Sequence, residues 1–492
     1  MTSGGLLANT MTFGLATAAV GTVLGWLLAH VQVTYRFAGR SALHVLNLAG
    51  MLMPSFTFAM ALVMLAGHGG WVSRLSGGQP FEVYGLGGLV AAGVLARLPY
   101  AYLGLLLAYR SVDQRLLDAA ADLGASRARA ELAVVVPRVV PALGATFVGL
   151  LADTIADVAN PLVIGGGFDV LSTRLVEAVS GEGDLTTAWW CAAQLLVPAA
   201  LGLLAARTNR APAASATPLT PRRPGWAGRA AITASWLIGT LVAVLLGLVV
   251  VGAFAGTDAA PTLRHLGDVV GGRSTRALAT TVLVALLTAL GAGILTLALG
   301  LGASRGRRRA RALLVGARIG TAVPGLVLGL TVYTALAATL QALDAGRSAT
   351  LWLTLAALLA VQVLRQTPGL LWSSLRTLAD AGPQAHEAAL TLGGTRRAVA
   401  LHVDGPRLAP ALITGVTTTF ARSLTAVSSV LLLASAQAPL LTARMLVEID
   451  LGNWSAACAM TVVLGALVLG ALGAGSAMER VWVRPRERRG RT

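Results

Sequence analysis

The chain contains no lysine: all 38 of its basic residues are arginine. A Walker-type phosphate loop needs a Lys to reach the β- and γ-phosphates, so this chain cannot hydrolyse ATP through one. Cysteine is nearly absent, with Cys191 and Cys458 as the two examples. Each falls in an apolar stretch with neither a second Cys nor a His at metal-ligand spacing, which excludes a disulfide framework and a Cys/His metal site. The six histidines are scattered and form no cluster. No metal site is therefore predicted. Charge is scarce, at 12% of residues against about 25% in a soluble domain. The N-terminus has no positive stretch and no small-residue cleavage site, so a cleaved signal peptide is not expected.

What remains is apolar: 55% of the 492 residues are hydrophobic and the mean hydropathy is +0.73. Many apolar segments run for about 20 residues, the length a helix needs to cross the hydrocarbon core. Runs such as "TVLVALLTALGAGILTLALG" do not alternate as the strands of a membrane β-barrel would. The expected fold is an all-α polytopic membrane protein. Spans are predicted near 9–29, 45–66, 86–109, 139–164 and 186–206, and then near 230–253, 279–302, 314–340, 349–372, 408–434 and 455–478. Between the two sets lies "TNRAPAASATPLTPRRPGWAGR", a Pro-, Ala-, Ser- and Thr-rich stretch with linker composition. The predicted division is a first half over 1–208, a linker over 209–228 and a second half over 229–492.

The net charge of +17 does not point to nucleic acid, because the arginines concentrate in short loops. With alternating spans, Arg36 and Arg40, Arg110 to Arg138, Arg305 to Arg311, and Arg376 to Arg407 all fall on one side, with the linker and the basic C-terminal tail. The opposite loops are mixed or acidic, as in "GGGFDVLSTRLVEAVSGEGD". The positive-inside rule makes the Arg-rich side cytoplasmic. This predicts a bacterial inner-membrane protein of about 11 spans, with an outside N-terminus and a cytoplasmic C-terminus. The first half has one span fewer than the second, as if it lacked the outermost one.

The loop "LDAAADLGASRARAELAVVVPRVVPAL" returns later as "HEAALTLGGTRRAVALHVDGPRLAPAL". Asp118 and Glu387, Gly124 and Gly393, Pro137 and Pro406, and Pro141 and Pro410 are each 269 apart. The repeat reaches further: Pro54 and Pro324, and Thr10 and Thr280, are 270 apart. Six spans separate the two loops, so the repeats are parallel and related by an axis along the membrane normal. Physically, the Ala-rich start favours a short helix. A Gly then permits the positive φ that ends it. The Pro is expected to break or bend the chain before the next span. A short helix tied to two spans can be pushed as a lever.

The repeated pattern resembles the EAA loop in permeases of binding-protein-dependent ABC importers. The matching positions are Asp118, Ala119, Ala120, Gly124 and Pro137 in the first half, and Glu387, Ala388, Ala389, Gly393 and Pro406 in the second. The departures are Asp118 for Glu and Val136 and Gly405 for Leu. The resemblance implies a type I importer permease in two tandem parallel repeats. It is a translocation subunit, not an enzyme. Its implied partners are the lipid bilayer, a cytoplasmic ATPase dimer that holds ATP and Mg and engages both loops, and an extracytoplasmic solute-binding protein. No cofactor is expected on this chain, and no nucleic acid.

Ionisable residues within spans mark function more often than not. Asp153 and Asp157 in "LLADTIADVANPLVIGG" share a helix face. That segment resembles its counterpart in two-repeat ferric-iron permeases, which implies iron as solute. Thiamine, polyamines, phosphonate and sulfate are the alternatives within the class. An ion-coupled secondary transporter is a further reading, and so is a non-transporting anchor. At the 269 offset Arg422 replaces Asp153 and Ala426 replaces Asp157. Three readings stand: an Asp153–Arg422 gate pair, a carboxylate-lined cation pathway, or interhelical packing. Arg97 and Arg365, near span ends, are expected to snorkel or anchor and not to bind solute.

Overall fold

The computed structural model describes residues 3–78, 82–205, 217–255, 261–303, 307–344, 346–380 and 384–482. Linker residues 206–216 and the basic tail from 483 lie outside the described residues. Within them the protein is helical and has no strand, only the isolated bridges Tyr35–Arg222 and Ala255–Pro261. Eight helices are long and apolar enough to cross a membrane, or up to nine if a bent pair counts as one span. The expected segments near 186–206 and 408–434 correspond to the helices Leu185–Ala205 and Gly405–Leu424. The protein is a multi-pass membrane protein.

Several expected spans are not continuous. The 45–66 segment breaks into Arg40–Leu52 and Thr57–Ser76, bent by 102°. Pro54 is the reason: a proline drives the residue before it out of the α region, and Met53 is extended at φ −113°, ψ 156°. At the equivalent Pro324 the 314–340 segment divides into Arg307–Ala322 and Gly325–Ala342. The 139–164 segment stops at Ile155 and resumes at Ala159–Ile164. Its counterpart stops at Leu424, again 269 residues on, and is followed by turns.

Packing divides the chain into two compact units. The first comprises Met1–His265 with Leu446–Val462, and the second Leu266–Met445 with Val463–Thr492. The helix Trp226–Ala253 therefore follows the linker in sequence but groups with the first unit, where it packs on Arg40–Ala49 and Thr57–Ala66. The sequence repeat and the compact unit are different divisions of the same chain.

Each unit has the same three-helix centre. In the first, Ser3–Thr34 packs on Leu86–Arg110 and Val136–Ile155. In the second, Thr275–Ala303 packs on Arg347–Asp380 and Gly405–Leu424. Small residues allow the close approach that helices in lipid depend on. A Cβ on Gly25 would sit 2.6 Å from the Ala101 Cβ. Around that contact lies a core of Leu28, Leu98, Tyr102, Leu105 and Leu106, each 2% exposed or less. Thr10 Oγ1 accepts from the Leu171 amide at 2.9 Å, and Thr281 Oγ1 accepts from Leu441 at 2.8 Å. The structural counterpart of Thr10 is thus Thr281, one residue beyond the 280 indicated by the sequence offset.

Candidate functional sites: paired loops and a buried charge lock

The first loop begins with the helix Gln114–Asp122, whose N-terminus is capped by the Asp113 carboxylate accepting from Arg115 N at 3.0 Å. Its end is a closed turn. Ala125 N donates to Ala120 O at 3.0 Å and Gly124 N to Ala121 O at 2.9 Å, with Gly124 at φ +76°. This pairing satisfies carbonyls that a helix end leaves open, and the left-handed residue it needs is the glycine. The second loop repeats the turn after the helix Gln384–Thr391. There Gly394 N donates to Ala389 O at 3.0 Å, Gly393 N to Leu390 O at 3.0 Å, and Gly393 has φ +85°. The second alanine of each motif, Ala120 or Ala389, thus provides a backbone acceptor for the turn. Their small side chains leave that face of the helix flat.

A new helix follows at once. Ser126 Oγ accepts from Arg129 N at 3.4 Å, and Thr395 Oγ1 from Ala398 N at 3.3 Å. These caps were legible as Ser and Thr before a helical run, a signal the motif reading passed over. The expected break at the prolines does not occur. Arg127–Ala130 passes through a π-helical turn, Glu131–Val135, into Val136–Ile155, and Arg396–Val399 passes through Ala400–Asp404 into Gly405–Leu424. Val136 N donates to Glu131 O, five residues back. A π turn widens the helix where the Pro137 or Pro406 ring would meet a carbonyl, and proline has no N–H to lose at the start of the next segment. Loop and span are therefore one continuous rod.

Between the helices both loops project a leucine into solvent, Leu123 at 89% and Leu392 at 88% exposure. Asp118 and Glu387 are also exposed. Asp118 accepts from Gln114 Nε2 at 2.7 Å. Sequence reading singled out the acids and glycines but not the two leucines.

The second site lies at the break after Ile155. Arg97 does not snorkel: its side chain is 5% exposed, on the helix Leu86–Arg110. Its Nε makes an ion-pair contact with Asp153 Oδ2 at 2.8 Å, and its Nη2 donates to Asp157 Oδ2 at 3.0 Å and to Asp153 O at 3.1 Å. A buried arginine costs several kcal/mol unless paired and hydrogen-bonded, and this one is both. Asp157, with a side chain 2% exposed, is fully committed. Its Oδ1 accepts from Ala159 N at 3.1 Å and Asn160 N at 3.3 Å, and its Oδ2 also accepts from Asn160 Nδ2. It caps the resumed helix and supplies the partners that interrupted backbone at membrane depth requires. Asp153 differs, with a side chain 61% exposed. One arginine against two carboxylates leaves one net negative charge, at the Asp153 end.

At the corresponding break in the second repeat a neutral amide bridges two hydroxyls. Gln362, 1% exposed, donates from Nε2 to Ser423 Oγ at 2.9 Å and accepts from Ser429 Oγ at 3.2 Å. Arg422 is exposed. One feature is common to both breaks: a hydroxyl donates to the carbonyl of the broken turn, from Ser172 to Asp157 O and from Thr442 to Ala426 O at 2.9 Å.

No family model matches this chain. It is 25% identical, over 94% of its length and 70% of the relative's, to a ferric transport system permease protein of Actinobacillus pleuropneumoniae. It is 26% identical, over 35% of its length and 63% of the relative's, to a spermidine/putrescine transport system permease protein of Haemophilus influenzae. It is 28% identical, over 28% of its length and 54% of the relative's, to a probable sulfate transport system permease protein of Prototheca wickerhamii. The chain is thus similar to importer permeases, to one of them along nearly its whole length. In this chain the doubled loops are surface elements rigidly joined to spans, and the charge lock is an interior element of the first repeat.

Proposed function

We propose that this permease is the translocation subunit of a ferric-iron importer of the bacterial inner membrane, with both loops and the C-terminus in the cytoplasm. The observation that carries the coupling role is the doubled loop, built with the same backbone hydrogen bonds 269 residues apart. Each loop is a short helix with an exposed acid, two alanines and a projecting leucine, continuous with a span through a π turn. Such a pair suits two equivalent grooves on an ATPase dimer, so that ATP-driven closure moves two spanning rods together. ATP and Mg belong to that partner, and solute arrives from an extracytoplasmic binding protein. The chain itself carries no cofactor and performs no hydrolysis.

Iron as solute rests on the ferric permease relative that matches 94% of the chain. The site chemistry agrees with a cation. Asp153 offers hard carboxylate oxygens on an exposed face, and its pairing with Arg97 leaves a net negative charge there. Asp157 serves as the fixed post of this group. A polyamine, also cationic, is the second reading favoured by the same charge.

The test is labelled ferric-iron uptake, against labelled spermidine, in cells expressing the permease with its neighbouring ATPase and binding protein. Iron uptake that drops about tenfold or more in Asp153→Asn is expected, since a lost charge contact in the pathway is worth roughly 1.4 kcal/mol or more. Spermidine uptake without iron uptake overturns the solute assignment.

A further inference from the structure

The end of the expected linker is built into the first loop. Three kinds of contact fasten it, all within the first compact unit. The backbone of Arg222 pairs with the end of the first helix: Arg222 N donates to Thr34 O and Arg36 N to Arg222 O, both at 2.8 Å. Leu219 packs against the core of Leu28, Leu105 and Tyr109. Polar contacts then reach the loop itself. Gln114 N donates to Thr217 O at 3.0 Å, and Gln114 Oε1 accepts from Thr220 N at 3.1 Å. Arg222 Nη1 pairs with Glu131 Oε1, in the π turn, at 3.0 Å, and the guanidinium lies over the Tyr35 ring at 5.4 Å. Gln114 also donates to Asp118, the motif acid. One glutamine thus joins segment 217–224 to the acid of the loop helix.

By sequence, the side chains that receive this segment are particular to the first repeat. At the 269 offset, Gln114 is replaced by Pro383 and Glu131 by Ala400. Proline has no N–H and no side-chain acceptor, and alanine cannot hold an arginine. A passing linker would not need a donor and an acceptor from the same glutamine, a leucine packed on the core and an ion pair within eight residues.

We infer that residues 217–224 are a strap that fixes the first coupling loop to the spanning helices, leaving the two loops unequal in stiffness. Gln114, Glu131 and Arg222 are positioning residues for that loop. The strap runs directly into the helix Trp226–Ala253, so displacement of the first loop is passed to that span, whereas the second loop moves without it. The term coupling rests on the function proposed above; the strap and the inequality do not.

Hydrogen exchange of the full chain in lipid nanodiscs tests this without any partner. In the wild type, amides of 114–123 should exchange about tenfold more slowly than those of 384–392, as expected when one element carries extra tertiary anchoring. Gln114→Ala with Arg222→Ala should bring the first loop to the rate of the second and leave the second unchanged. Arg222→Glu should act alike, and Arg222→Glu combined with Glu131→Arg should restore protection. Equal exchange of the two loops in the wild type overturns the strap, and that comparison needs no variant to fold. Acceleration of both loops together in the variants also overturns it. Failure of the permease to bind an ATPase would sink the proposed function without touching the strap, which stands or falls on the exchange rates alone.

Discussion

In the first repeat, the spanning helix that ends at Ile155 is held to its neighbour by charge: Arg97, sealed from solvent, grips Asp153 and Asp157. In the second, Gln362 joins the helix that ends at Leu424 through Ser423 and Ser429, an amide between two hydroxyls. The break is the same, at the same offset, and so is the hydroxyl that satisfies its carbonyl. The comparison separates two requirements. Interrupted backbone at membrane depth must have partners, and a neutral amide meets that need as well as a guanidinium does. A net charge beside an exposed face is a separate provision, made in the first repeat by Asp153.

The comparison breaks most sharply at Arg97. Arg97→Met leaves Asp157 buried and uncompensated, a change that costs about 3–5 kcal/mol. The expected outcome is loss of folded permease, read as a collapse of the monodisperse peak in detergent. A normal unfolding temperature would show the lock to be dispensable. Gln362→Leu is milder. It leaves two buried serine hydroxyls to find new partners, at about 1–3 kcal/mol, and should lower the unfolding midpoint while preserving expression. An effect as large as that of Arg97→Met would erase the distinction between charged and neutral locks.

A smaller effect sharpens the likeness between the loops. Gly124→Ala and Gly393→Ala each place a Cβ on a left-handed residue with open space around it, a cost of roughly 1 kcal/mol. Global stability should barely move, while ATP hydrolysis should become uncoupled from uptake in both. Normal uptake by both variants would remove the lever role of the loops.

The smallest effect lies outside the spans. Arg174 donates to both Glu182 oxygens, at 2.6 and 2.8 Å, and this hydrogen bonding holds the Glu182 carboxyl below its ordinary range. A depressed folded value means that the pair stabilises fully above the ordinary carboxylate range and less as the pH falls through the folded value. The unfolding midpoints of wild type and Glu182→Gln, compared between about pH 6 and about pH 3, should differ slightly at the top and converge at the bottom. A gap that widens on acidification would reverse the sign and rule out the pair.

The sequence by itself determined the membrane class, the helical spans and the internal repeat, because each is written in local composition or in a fixed offset. The low charge and the long apolar runs permit little else. The paired glycines demanded a left-handed turn, and Gly124 and Gly393 make one. The tertiary structure decided where spans are interrupted, since Asp157 caps a helix only when the chain has turned and Arg97 stands beside it. It decided that Arg97, which by sequence sits as if near a span end, is interior. It turned the break expected at Pro137 and Pro406 into a π turn, because a helix already anchored at both ends can widen by one residue at less cost than it can end. It also fastened 217–224, a stretch with the composition of a free linker, to Gln114 and Glu131, more than ninety residues earlier in the chain. Partners that distant leave no periodicity in the sequence, so only the folded chain brings them together.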